Sequence, residues 1–375
     1  IGGSRDAPDR LWFSRTGHPF NFHTGDGLAD EAFSFRLAGD EQHTIRGLLP
    51  GRLLQVFTSS GEWIVRGAPL TPGSVVAELQ TRIGSWSGGR VDPVEVDGAA
   101  LFVGASGREL REFLFAESEQ AYQAADIALL SRHLMLAPVA VAFDRRGRVL
   151  LIVRGDGRLA AVALDRNSNV VAWSLLETSG AFRSVAIWRG APHLIVEAGG
   201  RVLLERLDEE LTTDHAVTLT SPTPRTVWGG LGHLEAREVI VQGSGPPARQ
   251  TVVDGSVTVA LPTTAVTVGA PFERPAQPMP TVVPASAGPS LDRPYRPVRI
   301  VFRLLETGML HADAGNGPRP LTLQPRDAGG RFSGDVELRA SGWRRGSDEP
   351  PWRIAQDDPE PCTILSVTSE IMGNT

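Results

Sequence analysis

The sequence predicts an all-β protein, a β-propeller carrying an inserted small β-barrel-like module, and three observations predict it. Forty-one glycines and 28 prolines punctuate short apolar runs nearly everywhere, the texture of brief strands joined by tight turns. A strand–turn–strand unit recurs at the spacing of a propeller blade. A valine- and threonine-rich run over residues 217–270 then breaks that rhythm and is compact enough for a separate barrel.

The recurring unit is an apolar-apolar-Val core, a Gly four or five positions after the Val, and a second apolar run. It reads Leu54-Gln-Val56 to Gly61, Leu101-Phe-Val103 to Gly107, Leu151-Ile-Val153 to Gly157, and Leu194-Ile-Val196 to Gly200. Successive valines lie 47, 50 and 43 residues apart, and a weaker copy, Leu11-Trp-Phe13 to Gly17, precedes Val56 by 43. Gly17, Gly61, Gly107, Gly157 and Gly200 are therefore expected at hairpin turns, where glycine permits positive φ, with the flanking apolar residues packed between blades. Blades are expected over 1–216.

One short helix is expected over Ser118–Leu136, where Tyr122, Ala125, Leu129 and Leu130 fall near one face behind a Ser118 cap. Residues 217–290 hold the small β module and a crossing segment. Nine prolines crowd Pro262 to Pro297, a density that forbids regular pairing. Residues 291–375 are expected to return to the propeller through strands at Val298–Leu304 and Cys362–Val367.

Length and composition bound the rest. At 375 residues the chain exceeds one compact core, so it is multidomain or repetitive. The apolar runs fall far short of the ~20 residues of a membrane helix, and no membrane-spanning segment is expected. The single cysteine, Cys362, excludes an internal disulfide and every multi-cysteine zinc pattern. A net charge of −6 argues against a broad phosphate-binding surface. All 37 basic residues are arginine. The chain begins at Ile1, so an upstream piece is expected to be missing or removed.

Chemistry-bearing motifs are scarce. Neither Gly84-Ser-Trp-Ser-Gly88 nor Gly104-Ala-Ser-Gly107 places a serine as a nucleophile elbow requires. Without lysine there is no P-loop. The eight histidines never occur as His-x-His or His-x-x-x-His. The carboxylate runs Asp26/Asp30/Glu31, Asp208/Glu209/Glu210 and Asp357/Asp358/Glu360 lack calcium-loop spacing and read as solvated loops. Arg145, Arg146 and Arg148, and the pair Arg344-Arg345, are the densest basic spots and read as exposed turns. No catalytic, cofactor-binding or metal-ligating residue is assigned, and no enzyme activity or cofactor is expected.

Several blocks occur in a suggestive order: Asp9-Arg-Leu-Trp-Phe-Ser to Asn21-Phe22; Gly61-Glu-Trp63; Asp126-Ile-Ala-Leu-Leu-Ser-Arg-His-Leu134; Asn169-Val-Val-Ala-Trp173; Gly232-His-Leu-Glu-Ala236; Val266-Thr-Val-Gly-Ala-Pro271; and Gln356-Asp-Asp-Pro-Glu-Pro-Cys-Thr-Ile-Leu365. Together they resemble the tail nozzle family of short-tailed bacteriophages, also described as tail tubular protein B or the tail hub. The resemblance implies a non-catalytic virion structural protein located in the tail. It implies a cyclic homo-oligomer, a hexamer, beneath the head–tail adaptor ring, with tail fibres or spikes docked on it and DNA passing non-specifically through it. The family's propeller agrees with the period above, and its small β module corresponds to residues 217–290, which argues against reading Val241, 45 residues beyond Val196, as a further blade marker. Family members carry a substantial region before the Arg-Leu-aromatic block, which here starts at Arg10, so the propeller is expected to be incomplete as given or completed by an absent segment. The alternatives are a hub or baseplate component of a longer tail or tail-like particle, and a carbohydrate-binding propeller.

Overall fold

The computed structural model describes residues 1–89, 91–166, 168–279, 294–345 and 349–373. The chain divides into two compact units, Ile1–Leu207 and Asp208–Thr375. The division falls ahead of the 216/217 boundary expected from sequence, because the strand Asp214–Gly229 runs across that position and pairs inside the second unit.

The first unit is a succession of antiparallel sheets in sequence order. A two-stranded ribbon, β1 (Arg10–Phe13) and β2 (Phe33–Arg36), comes first. Three four-stranded meanders follow. They are β3 (Ile45–Leu49), β4 (Leu54–Thr58), β5 (Glu62–Arg66) and β6 (Val76–Thr81); β7 (Val94–Val96), β8 (Ala99–Val103), β9 (Leu110–Ala116) and β10 (Ala121–Asp126); and β11 (Ala140–Asp144), β12 (Val149–Val153), β13 (Leu159–Asp165) and β14 (Val170–Leu176). A three-stranded sheet closes the series with β15 (Ala181–Trp188), β16 (Ala191–Ala198) and β17 (Arg201–Arg206).

These meanders are blade-like because each has a central strand, β4, β8 or β12, buried on both faces. On β12, Leu150 and Ile152 pack toward the preceding sheet with Leu101, Val103 and Leu110, whereas Leu151 and Val153 pack toward the following sheet with Phe182, Leu194 and Val196. The same division occurs on β4, where Val56 joins Leu11 and Trp63 while Phe57 joins Phe102, Phe113 and Tyr122. Side chains alternate across a strand, so a short continuous apolar run feeds two cores at once. Each large side chain so buried contributes about 1.5–3 kcal/mol, which lets short strands hold a long stack without helices.

The helix expected over Ser118–Leu136 is not formed. Residues Ala121–Asp126 are β10, paired antiparallel with β9, and Arg132–Leu134 is one 3-10 turn. Tyr122 stacks on Phe113 with ring centroids 4.8 Å apart, a cross-strand contact that outweighs the local helical spacing. Leu129 and Leu130, expected on the buried face, are exposed, whereas Ala128 and Met135 are buried.

The second unit holds three sheets. The strands β18 (Asp214–Gly229), β19 (Glu238–Gln242), β20 (Ala248–Thr251) and β21 (Ser256–Ala270) form one in the order β18-β21-β19-β20, over a core containing Trp228, Val239, Val241 and Val268. A second joins β22 (Tyr295–Thr307) to β25 (Phe332–Arg339) on one side and β27 (Thr363–Gly373) on the other. A third small sheet joins β23 (His311–Asp313) to β24 (Arg319–Pro320) and β26 (Arg353–Ile354). The strands of 295–373 thus pair among themselves, and none enters a sheet of the first unit.

The proline-rich crossing segment behaves differently at its ends from the expectation. Pro262 lies inside β21 and Pro297 inside β22. Register breaks fall at both, opposite Arg225–Val227 and between Pro297 and Arg299. A proline lacks the N–H a ladder needs and is tolerated where the ladder is already interrupted. Residues 280–293 of that segment lie outside the described residues.

Candidate functional site

The repeat glycines occupy turns of successive sheets. Gly61 lies between β4 and β5, Gly107 between β8 and β9, Gly157 between β12 and β13, and Gly200 between β16 and β17; Gly17 lies in the turn bridged by Arg15 and His18. Gly17, Gly107, Gly157 and Gly200 have φ of +74°, +66°, +84° and +72°. Gly61 departs from the expected reason. Its φ is not positive, and a Cβ there would lie 2.6 Å from the Thr81 carbonyl oxygen. Thr58 closes this turn, its Oγ1 donating to the Gly61 carbonyl at 2.6 Å and accepting from the Gly61 N–H at 3.1 Å.

Several acids of these runs have partners of their own. Asp30 pairs with Arg15 at 2.9 Å, and Arg15 holds its carboxyl below the usual range. Glu31 Oε2 accepts the N–H groups of Gly27 and Leu28. Asp208 accepts the N–H of Glu210. Asp357 pairs with Arg249 at 2.7 Å and Asp358 with His311 at 3.1 Å. Burial pushes the Cys362 thiol up, leaving it protonated and a poor nucleophile. Of the basic spots, Arg148 pairs with Asp97 at 2.5 Å.

Arg344 departs from the exposed turn expected of it. It is half-buried and lines a cleft of about 230 Å³ in the second unit with Asp313, Gly315, Glu349, Trp352 and Arg353. The walls are fixed from the backbone outward. Asp313, at the end of β23, accepts the N–H groups of Gly315 and Gly317 at 2.6 and 3.0 Å and so curls the loop after it. Gly315 has φ +113°, and a Cβ there would fall 2.2 Å from Arg344 Nη2, so the loop closes over the guanidinium only as glycine. Tyr295 exchanges two backbone hydrogen bonds with Arg344, at 2.7 and 3.0 Å, and its hydroxyl donates to the Glu349 carbonyl at 2.6 Å. Trp352 packs edge-on against the buried Phe302, centroids 5.5 Å apart, and Arg353 sits opposite Asp313 across β26 and β23.

Arg344 stands out in the sequence only by its arginine neighbour, and nothing local links it or Trp352 to Asp313, some thirty residues earlier. A second polar feature was also missed. Glu62 on β5 is fully buried, and desolvation raises its carboxyl from 4.5 to about 7 against hydrogen bonds from Thr81 and the Ile83 and Gly84 backbone. In the sequence Glu62 figures only within the block Gly61-Glu-Trp63, and nothing there marks it as a buried acid.

No protein-family profile matches this chain, and no curated protein matches it in sequence. Among solved structures, one titled "putative 6-phosphogluconolactonase", from Bacteroides uniformis, is 10% identical over 96% of this chain and 99% of its own, at a TM-score of 0.32. Likeness at that level carries no argument about activity.

Proposed function

We propose that this chain is a structural protein of a bacteriophage tail, the subunit of a nozzle ring through which DNA leaves the particle and on which fibres dock. The observation that carries the reading is how the resembling blocks are used: the polar residues named below fix turns and sheet junctions within their own unit. Asp126 clamps Arg132 through Oδ2, with Nε at 3.0 Å and Nη2 at 2.7 Å, and caps the Ala128 N–H. Trp173 Nε1 donates to the Ile127 carbonyl across the same junction. Glu235 accepts the N–H groups of Asp254 and Gly255. Gln356 accepts from the His311 N–H and donates to the Met309 carbonyl. Residues spent in this way hold a shape, which is what a ring subunit requires, and blade-like meanders supply broad rigid faces for neighbours. Identical subunits enclose a channel by heterologous contacts that close on themselves. Native mass measurement and negative-stain imaging of the full chain test the reading: a closed ring, hexameric by expectation, supports it, and a strict monomer that never associates with tail particles removes it.

A further inference from the structure

We propose that the cleft between the Asp313–Gly317 loop and Trp352 binds an acidic sugar, a single pyranose-sized ring bearing a carboxylate. Its walls carry two guanidiniums, Arg344 and Arg353, and two carboxylates, Asp313 and Glu349. Elsewhere in this unit arginines find acids readily, as Arg303 does Asp335 and Arg299 does Glu337, each at 2.8 Å. The four charged side chains of the cleft form no ion pair among the described residues, so no carboxylate oxygen of Asp313 or Glu349 comes within 4.0 Å of either guanidinium. Arg344 Nε is in addition buried and without a hydrogen-bond partner. That nitrogen lies behind the wall; among the described residues the Arg344 Nη atoms, which are not buried, have no hydrogen-bond partner either, so the cleft presents free guanidinium donors to an acceptor that arrives from outside.

The charge set selects the ligand. The four side chains sum to zero, so a bare phosphate meets two carboxylates and a bare metal ion meets two guanidiniums. Each is disfavoured by half of the wall. A molecule that presents a carboxylate to the arginines and hydroxyl donors to Asp313 and Glu349 satisfies all four, because an ionised carboxylate only accepts and a guanidinium only donates. Trp352 adds an apolar wall, and sugar rings present apolar C–H faces beside their hydroxyls. The volume, below the usual range for drug-sized ligands, suits a single ring. This chemistry is independent of the tail assignment.

The test is a calorimetric titration of the full chain with D-glucuronate, with D-glucose, acetate and L-serine as controls. Saturable one-to-one glucuronate binding is expected, with glucose and acetate each weaker by about tenfold or more, since each lacks one half of the recognition. Arg353→Gln and Arg344→Gln should each weaken glucuronate by about tenfold or more while the thermal midpoint of Arg353→Gln, on an exposed position, stays unchanged. Should Arg344→Gln fail to fold, Arg353→Gln alone decides. No saturable binding, acetate as tight as glucuronate, serine tighter than glucuronate, or undiminished binding by a folded Arg353→Gln overturns the proposal.

Discussion

Glu62 and Thr81 face each other across β5 and β6, and the Thr81 hydroxyl donates to Glu62 Oε2 at 2.5 Å inside a fully buried site. Desolvation is the largest influence on this carboxyl and outweighs the hydrogen bonds and the more distant Arg111, so it titrates at about 7 in the fold against 4.5 as its ordinary value. The folded protein therefore holds the proton more tightly than the unfolded chain does. Stability from this group is full below pH 4.5, falls as pH rises toward 7, and is flat above, a loss of about 3 kcal/mol. Glu62→Gln keeps the shape and removes the titration. Urea midpoints at pH 5 and pH 8 should differ by less in this variant than in the wild type, with the variant the more stable at pH 8; parallel profiles would show that Glu62 is ionised at no cost.

Phe57 tests the stacked-sheet core. It is fully buried between two meanders, with ring centroids 5.1 Å from Phe102 and 5.7 Å from Phe113. Phe57→Ala should cost about 3–5 kcal/mol, as large-to-small changes at packed aromatics do. Val202→Ala, at a side chain 72% exposed on β17, should stay within about 0.5 kcal/mol. Denaturant unfolding of both variants checks the contrast, and equal effects would contradict the packing.

The hairpin glycines should separate by mechanism. Gly200 has positive φ and open space around the missing Cβ, so Gly200→Ala should cost about 1–2 kcal/mol from backbone strain alone. At Gly157 a Cβ would also lie 2.7 Å from the Ala181 Cβ, so Gly157→Ala should cost more. Gly61→Ala should destabilise through the Thr81 carbonyl without left-handed strain. Differential scanning of the three variants ranks them, and Gly200→Ala as the most damaging would defeat this account.

The blade rhythm was legible because Val56, Val103 and Val153 each sit on a strand buried on both faces and Val196 on the buried face of β16, where apolar residues and turn glycines recur of necessity. The helix over Ser118–Leu136 was misread because Tyr122 and its neighbours satisfy helical spacing locally, and only the pairing with β9 reveals strand. The division at 207/208 was not legible for a related reason, since β18 pairs with β21 some forty residues later and nothing in residues 208–217 announces it. The cleft was hidden for the same cause. Asp313, Arg344 and Trp352 meet only once β23, β26 and the Tyr295 bridge are in place.

The last prediction follows the proposed conduit. A channel that lets a polyanion slide needs a wall without a continuous cationic track, because each neutralised phosphate adds affinity and therefore friction. The net charge of −6 suits that demand. Many arginines are also already answered by carboxylates, among them Arg132 by Asp126, Arg148 by Asp97, Arg183 by Glu197, Arg249 by Asp357 and Arg303 by Asp335. A paired guanidinium must give up its acid before it can grip a phosphate, so its net gain from DNA is small. The full chain should bind duplex DNA weakly and without sequence preference, with a salt slope corresponding to no more than about three phosphates, and should leave the DNA uncut. Mobility shift across a salt series measures both quantities. Tight binding that persists at about 200 mM salt, where non-specific complexes have largely dissociated, or a preference for one sequence, would mean that this protein holds DNA and does not merely pass it.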